Sequence, residues 1–216
     1  MVGGFVRSAK SKSESGIAYT VAQMDVQPAV RASAIRDSLE FLDKFEPGSR
    51  ERVLAKVPEA SRTVIAATSR SAWVGIEHDH HCVDAIVHLF GRARAIDYWS
   101  LTISELSDKP LLKSFVSGML KWMPVEPRRV IAVMATGWPL VYRDMCKIEL
   151  EVSAQGNPLL QFRELPALVR RHHNYLLSWQ GACTGFIKLA GLRASLSFRV
   201  APDLSAAAAE FVLTRV

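Results

Sequence analysis

The residues best suited to chemistry stand together in the run Glu77-His78-Asp79-His80-His81-Cys82. If this run begins a helix, Glu77, His81, Asp84 and His88 fall on one stripe, because residues four, seven and eleven positions apart share a helix face. Imidazole and carboxylate groups at such spacing can ligate zinc or iron. The opposite side of this helix is apolar, so the stripe should face water, and we expect no resident metal or cofactor. A metal-dependent enzyme or metal sensor that uses this stripe remains an alternative.

Three cysteines are the next candidates for reactive groups. Cys82 and Cys183 lie on apolar helix faces without an adjacent cation, which is typical of small core residues. Cys146 is followed by Lys147, but no base to activate its thiol is visible. Nucleophile-elbow, Walker and dinucleotide-binding motifs are absent from the sequence. The sequence therefore identifies no catalytic residue and favours a binding protein over an enzyme.

An aromatic face next to two glycines is a better candidate for binding. Tyr175, Trp179 and Cys183 share one face of a predicted helix, and Gly181 and Gly185 leave a smooth groove beside it. The preceding helix adds more aromatic surface. We predict an apolar ligand site lined by Trp138, Tyr142, Tyr175, Trp179, Gly181, Cys183 and Gly185. Solid core packing by the same residues is the alternative.

Composition excludes several classes of protein. The 216 residues are 49% hydrophobic and 22% charged, as in globular proteins. No segment approaches the roughly 18 uninterrupted apolar residues of a membrane span, and no secretory signal is visible, so we expect no membrane insertion. The three widely spaced cysteines disfavour a disulfide framework and predict a cytoplasmic location. The net charge of +6 comes without stacking aromatics beside basic residues, so we do not expect nucleic-acid binding.

The periodicity of apolar residues changes along the chain. Residues 1–28 lack sustained periodicity and predict a flexible arm, and residues 29–216 predict a single domain. Helical spacing extends from Ala29 to Ser107, with Gly91 ending one helix in the left-handed conformation. Leu111 to Trp122 forms a further predicted helix. Another helix should begin at Pro127 and be disturbed by Gly137 and Pro139.

The remainder of the chain predicts two hairpins on either side of a helical segment. Residues 147–153 and 160–163 alternate around a Gly-Asn-Pro turn, and a second alternating pair follows Gly191. We expect an α+β fold, in which an N-terminal helical bundle precedes a ββαββ unit with a four-stranded antiparallel sheet covered by helices. One face of that sheet should carry Ile148, Leu150, Leu160, Phe162, Leu196, Phe198, Phe211 and Leu213.

Taken together, the chain resembles an uncharacterised family of roughly 200-residue proteins abundant in myxobacteria, from about Ile35 to Leu213. The resemblance rests on the segments 90–95, 110–118, 137–144 and 164–166, together with Tyr175, Gly181, Gly185 and Gly191. It implies a fold like the ligand-binding domain of haem nitric-oxide sensors, 4-vinyl-reductase domains and TRAPP vesicle-tethering subunits. In such a fold, helices over a four-stranded sheet can enclose an apolar cavity. The nearest match to the propionate-binding motif of the haem sensors, residues 98–102, ends in threonine, so haem is not expected.

These observations favour a non-enzymatic sensory or adaptor domain for signalling. It would bind a small apolar ligand, a protein partner or a second copy of itself. A second alternative to this function, besides the metal-dependent one, is a structural interaction protein that docks through the arm Met1 to Pro28.

Overall fold

A computed structural model of the chain describes residues 27–107 and 127–213. The arm predicted for residues 1–28 lies outside these ranges except for Gln27 and Pro28, and the helix predicted for residues 111–122 lies outside them entirely. The helices are α1 (Ala32–Phe45), α2 (Ser49–Leu54), α3 (Glu59–Ala67), α4 (Ile76–Ser107), α5 (Pro127–Val141), α6 (Ala167–Arg171) and α7 (Asn174–Leu189). The strands are β1 (Ala29–Arg31), β2 (Trp73–Gly75), β3 (Tyr142–Arg143), β4 (Lys147–Val152), β5 (Pro158–Arg163), β6 (Ala194–Val200) and β7 (Ala207–Leu213).

The four-stranded sheet has the order β4-β5-β7-β6, and every neighbouring pair is antiparallel. Ile148 lies opposite Phe162, Leu150 opposite Leu160, and Leu196 opposite Phe211. Directly opposite residues share a sheet face, so the predicted apolar face and both hairpin registers are confirmed. The fold is α+β, as the sequence predicted.

Helix α4 contains the break that Gly91 was expected to introduce. Gly91 has φ 74° and ψ 166°, and helical geometry resumes directly after it. Because positive φ is readily accessible only to glycine, the sequence itself fixes this kink. The two halves of α4 therefore follow different directions, and the second half packs along α7.

A second, smaller sheet has the order β2-β1-β3. Val30 in its central strand is 2% exposed and lies opposite both Val74 and Tyr142. Sequence analysis assigned no strand to these residues, because two or three residues are too few to establish alternation. This sheet brings the start of α1, the start of α4 and the end of α5 together at one place.

Aromatic side chains join the helices to the large sheet. The Trp179 ring in α7 lies 5.1 Å from the Phe162 ring, centroid to centroid, and the Trp138 ring in α5 lies 5.5 Å from it.

No helix in the two described ranges has both the length and the hydropathy that crossing a bilayer requires.

Candidate functional site

An apolar cavity of about 180 Å³ lies among α1, α4, α5 and α7. Its position follows in part from the small sheet, because β1, β2 and β3 draw the ends of α1, α4 and α5 together without filling the space between them. Most of the wall is apolar and includes Ile35, Val83, Ile103, Met134, Trp138 and Phe186.

Three hydroxyl groups on the wall, those of Ser38, Thr102 and Ser178, already have partners within the protein. Ser38 Oγ lies 2.7 Å from the Tyr98 hydroxyl, and Thr102 Oγ1 donates to the Tyr98 carbonyl at 2.8 Å. Ser178 Oγ donates to the Tyr175 carbonyl at 2.7 Å. These hydroxyls are therefore satisfied without a ligand.

Asp79 is the charged group on the wall. One of its oxygens, Oδ2, accepts a hydrogen bond from the Tyr175 hydroxyl, and Oδ1 has no donor within the described ranges. Asp79 lines the cavity and keeps some accessible surface. Oδ1 is thus an acceptor that an occupant of the cavity can use.

Burial has the largest effect on the pKa values of the ionisable groups around Asp79. Loss of solvation raises the pKa of Asp79 to about 6, although the hydrogen bond from Tyr175 favours the ionised form. Burial also raises the pKa of Tyr175 and that of Tyr142, and the nearby Asp79 carboxylate raises both further. Both phenols consequently remain protonated donors near neutral pH.

The residues predicted to bind a ligand divide into three groups in the structure. Trp138 and Tyr142 line the cavity. Tyr175 is fully buried and reaches the cavity through its hydrogen bond to Asp79. Trp179 and Cys183, each 1% exposed, belong to the core behind the wall, and the Trp179 ring lies 4.9 Å from that of Trp138.

The two glycines occupy a different environment from the open groove expected of them. A Cβ atom added at Gly181 would lie 2.6 Å from Trp99 Cβ, and one added at Gly185 would overlap the Ser100 carbonyl oxygen. The second half of α4 fills the groove, because the missing side chains let its backbone approach α7. The glycines thus support close helix packing, and the space for a ligand lies beside Ala182 and Phe186 on the same helix.

Sequence analysis missed Asp79 as a cavity residue, although a signal was present. Asp79 precedes Cys82, Val83 and Ile86 by three, four and seven residues, so this carboxylate lies on the apolar face of its helix. An acidic residue on an otherwise apolar stripe is rarely buried without a partner.

A second cluster of chemical groups lies on another side of the first turns of α4. Ligand atoms of His80, Asp84 and His172 all lie within 4.8 Å of one another. Within the described ranges, no group with this geometry includes His81 or His88. His81, Asp84 and His88, the stripe predicted from the sequence, do line one open surface pocket, and His81 Nδ1 lies 2.7 Å from Ser61 Oγ. The sequence did not indicate that His80 and His172 approach Asp84.

Ser61 has an arrangement that resembles a nucleophile with a base. Its Oγ lies 2.9 Å from His78 Nδ1 and 2.7 Å from His81 Nδ1. Ser61 is only 2% exposed, so a substrate has no access to its hydroxyl.

Burial also raises the pKa of the Cys146 and Cys183 thiols to about 12 and raises that of Cys82 further. None of these groups is poised as a nucleophile.

Comparisons with protein-family models, with curated proteins and with solved structures found no match to the chain. The resemblance drawn from the sequence thus remains a prediction, and function is argued from the cavity itself.

Proposed function

We propose that this protein is a binding domain for a small, largely apolar molecule that carries one hydrogen-bond donor. The observation on which this proposal depends is the apolar cavity of about 180 Å³ with the unpaired Asp79 Oδ1 on its wall. A preformed apolar pocket with few polar groups is the usual form of a small-molecule site.

The volume sets the size of the occupant. An apolar cavity of about 150 Å³ engineered into another protein takes up benzene. A cavity slightly larger than that accommodates a single substituted aromatic ring or a short branched alkyl chain. A haem or a long lipid chain is too large for it.

Asp79, at the polar end of the cavity, determines the chemical class of the ligand. Asp79 offers an acceptor, while the hydroxyls of Ser38, Thr102 and Ser178 are already engaged. A hydrogen bond to a charged acceptor contributes about 1.5–3 kcal/mol, and part of this offsets the desolvation of the incoming donor. A hydroxyl or amino group on the ligand should consequently improve affinity by about tenfold over the corresponding hydrocarbon.

A cavity enclosed by four helices fits a sensory or adaptor role better than it fits catalysis. The walls come from four helices, so an occupant contacts all of them at once and stabilises one arrangement of their packing. A protein partner, or a second copy of the chain, would then bind the outer faces of these helices only in that arrangement. Light scattering with and without ligand tests whether association depends on occupancy.

Two probes of nearly equal size test the binding proposal: p-cresol carries a hydroxyl donor, and toluene does not. Calorimetric titration of the full chain should give p-cresol about tenfold higher affinity than toluene. The matched control is the double variant Asp79→Leu/Tyr175→Phe, which removes both polar partners together and leaves neither unsatisfied. That variant should bind the two probes equally. Failure to take up either probe, or an unchanged preference in the double variant, would refute the proposal.

A further inference from the structure

We propose that His80, Asp84 and His172 form a binding site for a divalent transition-metal ion of the zinc class. This site is separate from the cavity, and it does not depend on the proposed function. It also revises the expectation, drawn from the sequence, that the protein has no metal site.

The three side chains come from two segments that the fold brings together. His80 and Asp84 are one helical turn apart at the start of α4, and His172 lies in the turn between α6 and α7. Their ligand atoms all lie within 4.8 Å of one another, with His80 Nε2 and Asp84 Oδ2 3.1 Å apart. The rings of His80 and His172 are 4.2 Å apart, centroid to centroid. Two imidazoles and one carboxylate are a common ligand set for zinc and for iron(II).

Neighbouring groups hold these ligands in place. The His80 side chain is 5% exposed, so packing fixes its ring; no hydrogen bond at Nδ1 does so, because that atom has no partner in the part of the chain described. Asn174 Nδ2 donates to Asp84 Oδ1 at 3.1 Å, which orients the carboxylate. Second-shell bonds of this kind orient the ligands of established metal sites.

The site is open on one side. Asp84 has a 40% exposed side chain, and His172 is exposed. A tetrahedral zinc ion holds its ligand atoms roughly 3.3 Å apart. Rotation of the exposed His172 ring therefore supplies the closure that a bound ion requires. Three protein ligands leave at least one coordination position for water or for an external ligand, as in catalytic and regulatory zinc sites.

Metal titration of the full chain tests this site. The protein is stripped with a chelator and titrated with Zn²⁺ by calorimetry, and with Co²⁺ by visible absorption, which reports nitrogen and oxygen coordination directly. We expect one ion per chain. His172→Ala is the main variant, because this exposed side chain is not needed for packing. Since loss of a second-shell partner costs about 10- to 100-fold in affinity, loss of a ligand should cost at least about 100-fold.

Two matched controls make the result specific. His173→Ala removes the adjacent exposed histidine, and His88→Ala removes a member of the stripe predicted from the sequence; both should leave affinity unchanged. Asp84→Asn should weaken binding as His172→Ala does. The proposal is wrong if the wild type binds no stoichiometric ion, if His172→Ala binds as tightly as the wild type, or if a control variant loses the ion.

Discussion

The buried carboxyl of Asp79 predicts an unusual dependence of stability on pH. Its pKa is about 6 in the folded protein, against an ordinary value of 3.8. The folded state thus holds this proton more tightly than the unfolded state does. Stability from Asp79 is fully present below about pH 4 and is lost as the pH rises through about 6. A difference of about two pKa units at 1.36 kcal/mol each sets the loss at up to about 3 kcal/mol.

The variant Asp79→Asn isolates this contribution. The amide is neutral at every pH, and its oxygen still accepts the hydrogen bond from Tyr175. Urea unfolding of both proteins at several pH values gives the difference in their free energies of unfolding, in which the titration of all other groups cancels. That difference should move in favour of the variant by up to about 3 kcal/mol between about pH 4 and about pH 8.

Asp203→Asn is the control, because the pKa of Asp203 is shifted in the opposite direction. The backbone N–H and the hydroxyl of Ser205 both donate to Asp203, which lowers its pKa. Stability from Asp203 is present above its ordinary pKa of 3.8 and is lost as the pH falls below that value, so the difference for Asp203→Asn should stay nearly flat between about pH 4 and about pH 8. If the difference for Asp79→Asn stays flat across the same range, the Asp79 carboxyl is solvated and the reasoning about the cavity fails.

Two further predictions concern packing. Gly185→Ala should cost about 1–3 kcal/mol in urea unfolding, because its Cβ would overlap the Ser100 carbonyl; a neutral result would mean that α4 and α7 are further apart than described. Phe162→Ala, in a central strand and fully buried, should cost about 3–5 kcal/mol. Phe198→Ala, in the edge strand β6 and partly exposed, should cost about half as much. Equal costs for the two phenylalanines would contradict the strand order.

The large sheet could be predicted from the sequence because its strands are long enough to show alternation. Lys147 to Val152 and the strands that follow place apolar residues at every second position, and this pattern fixes both the register and the buried face. The helix break at Gly91 could also be predicted from neighbouring residues, since a glycine after an apolar helical segment indicates the end of that helix. Both features depend on residues close together in the sequence.

The site was less predictable because its position depends on long-range packing. The glycines of α7 predict an open groove, and no local pattern reveals that the second half of α4 fills it. The cavity arises one helix face away, where α5 and α1 meet Ala182 without closing the space. The His-rich run had a similar limit, since His172 is about ninety residues from His80 in sequence and joins it only in the folded chain.

The affinity of p-cresol for the variant Ala182→Leu tests the existence of the ligand site most directly. Ala182 lies on the cavity wall, so a leucine there should occupy the cavity, leave the melting temperature unchanged or raise it, and abolish p-cresol binding. Gly181→Ala, one residue earlier, points at Trp99 and should lower the melting temperature instead. If Ala182→Leu unfolds the protein, the space beside Ala182 is solid core. If the variant is stable and still binds p-cresol as the wild type does, the ligand occupies some other place, and the account of the cavity is wrong.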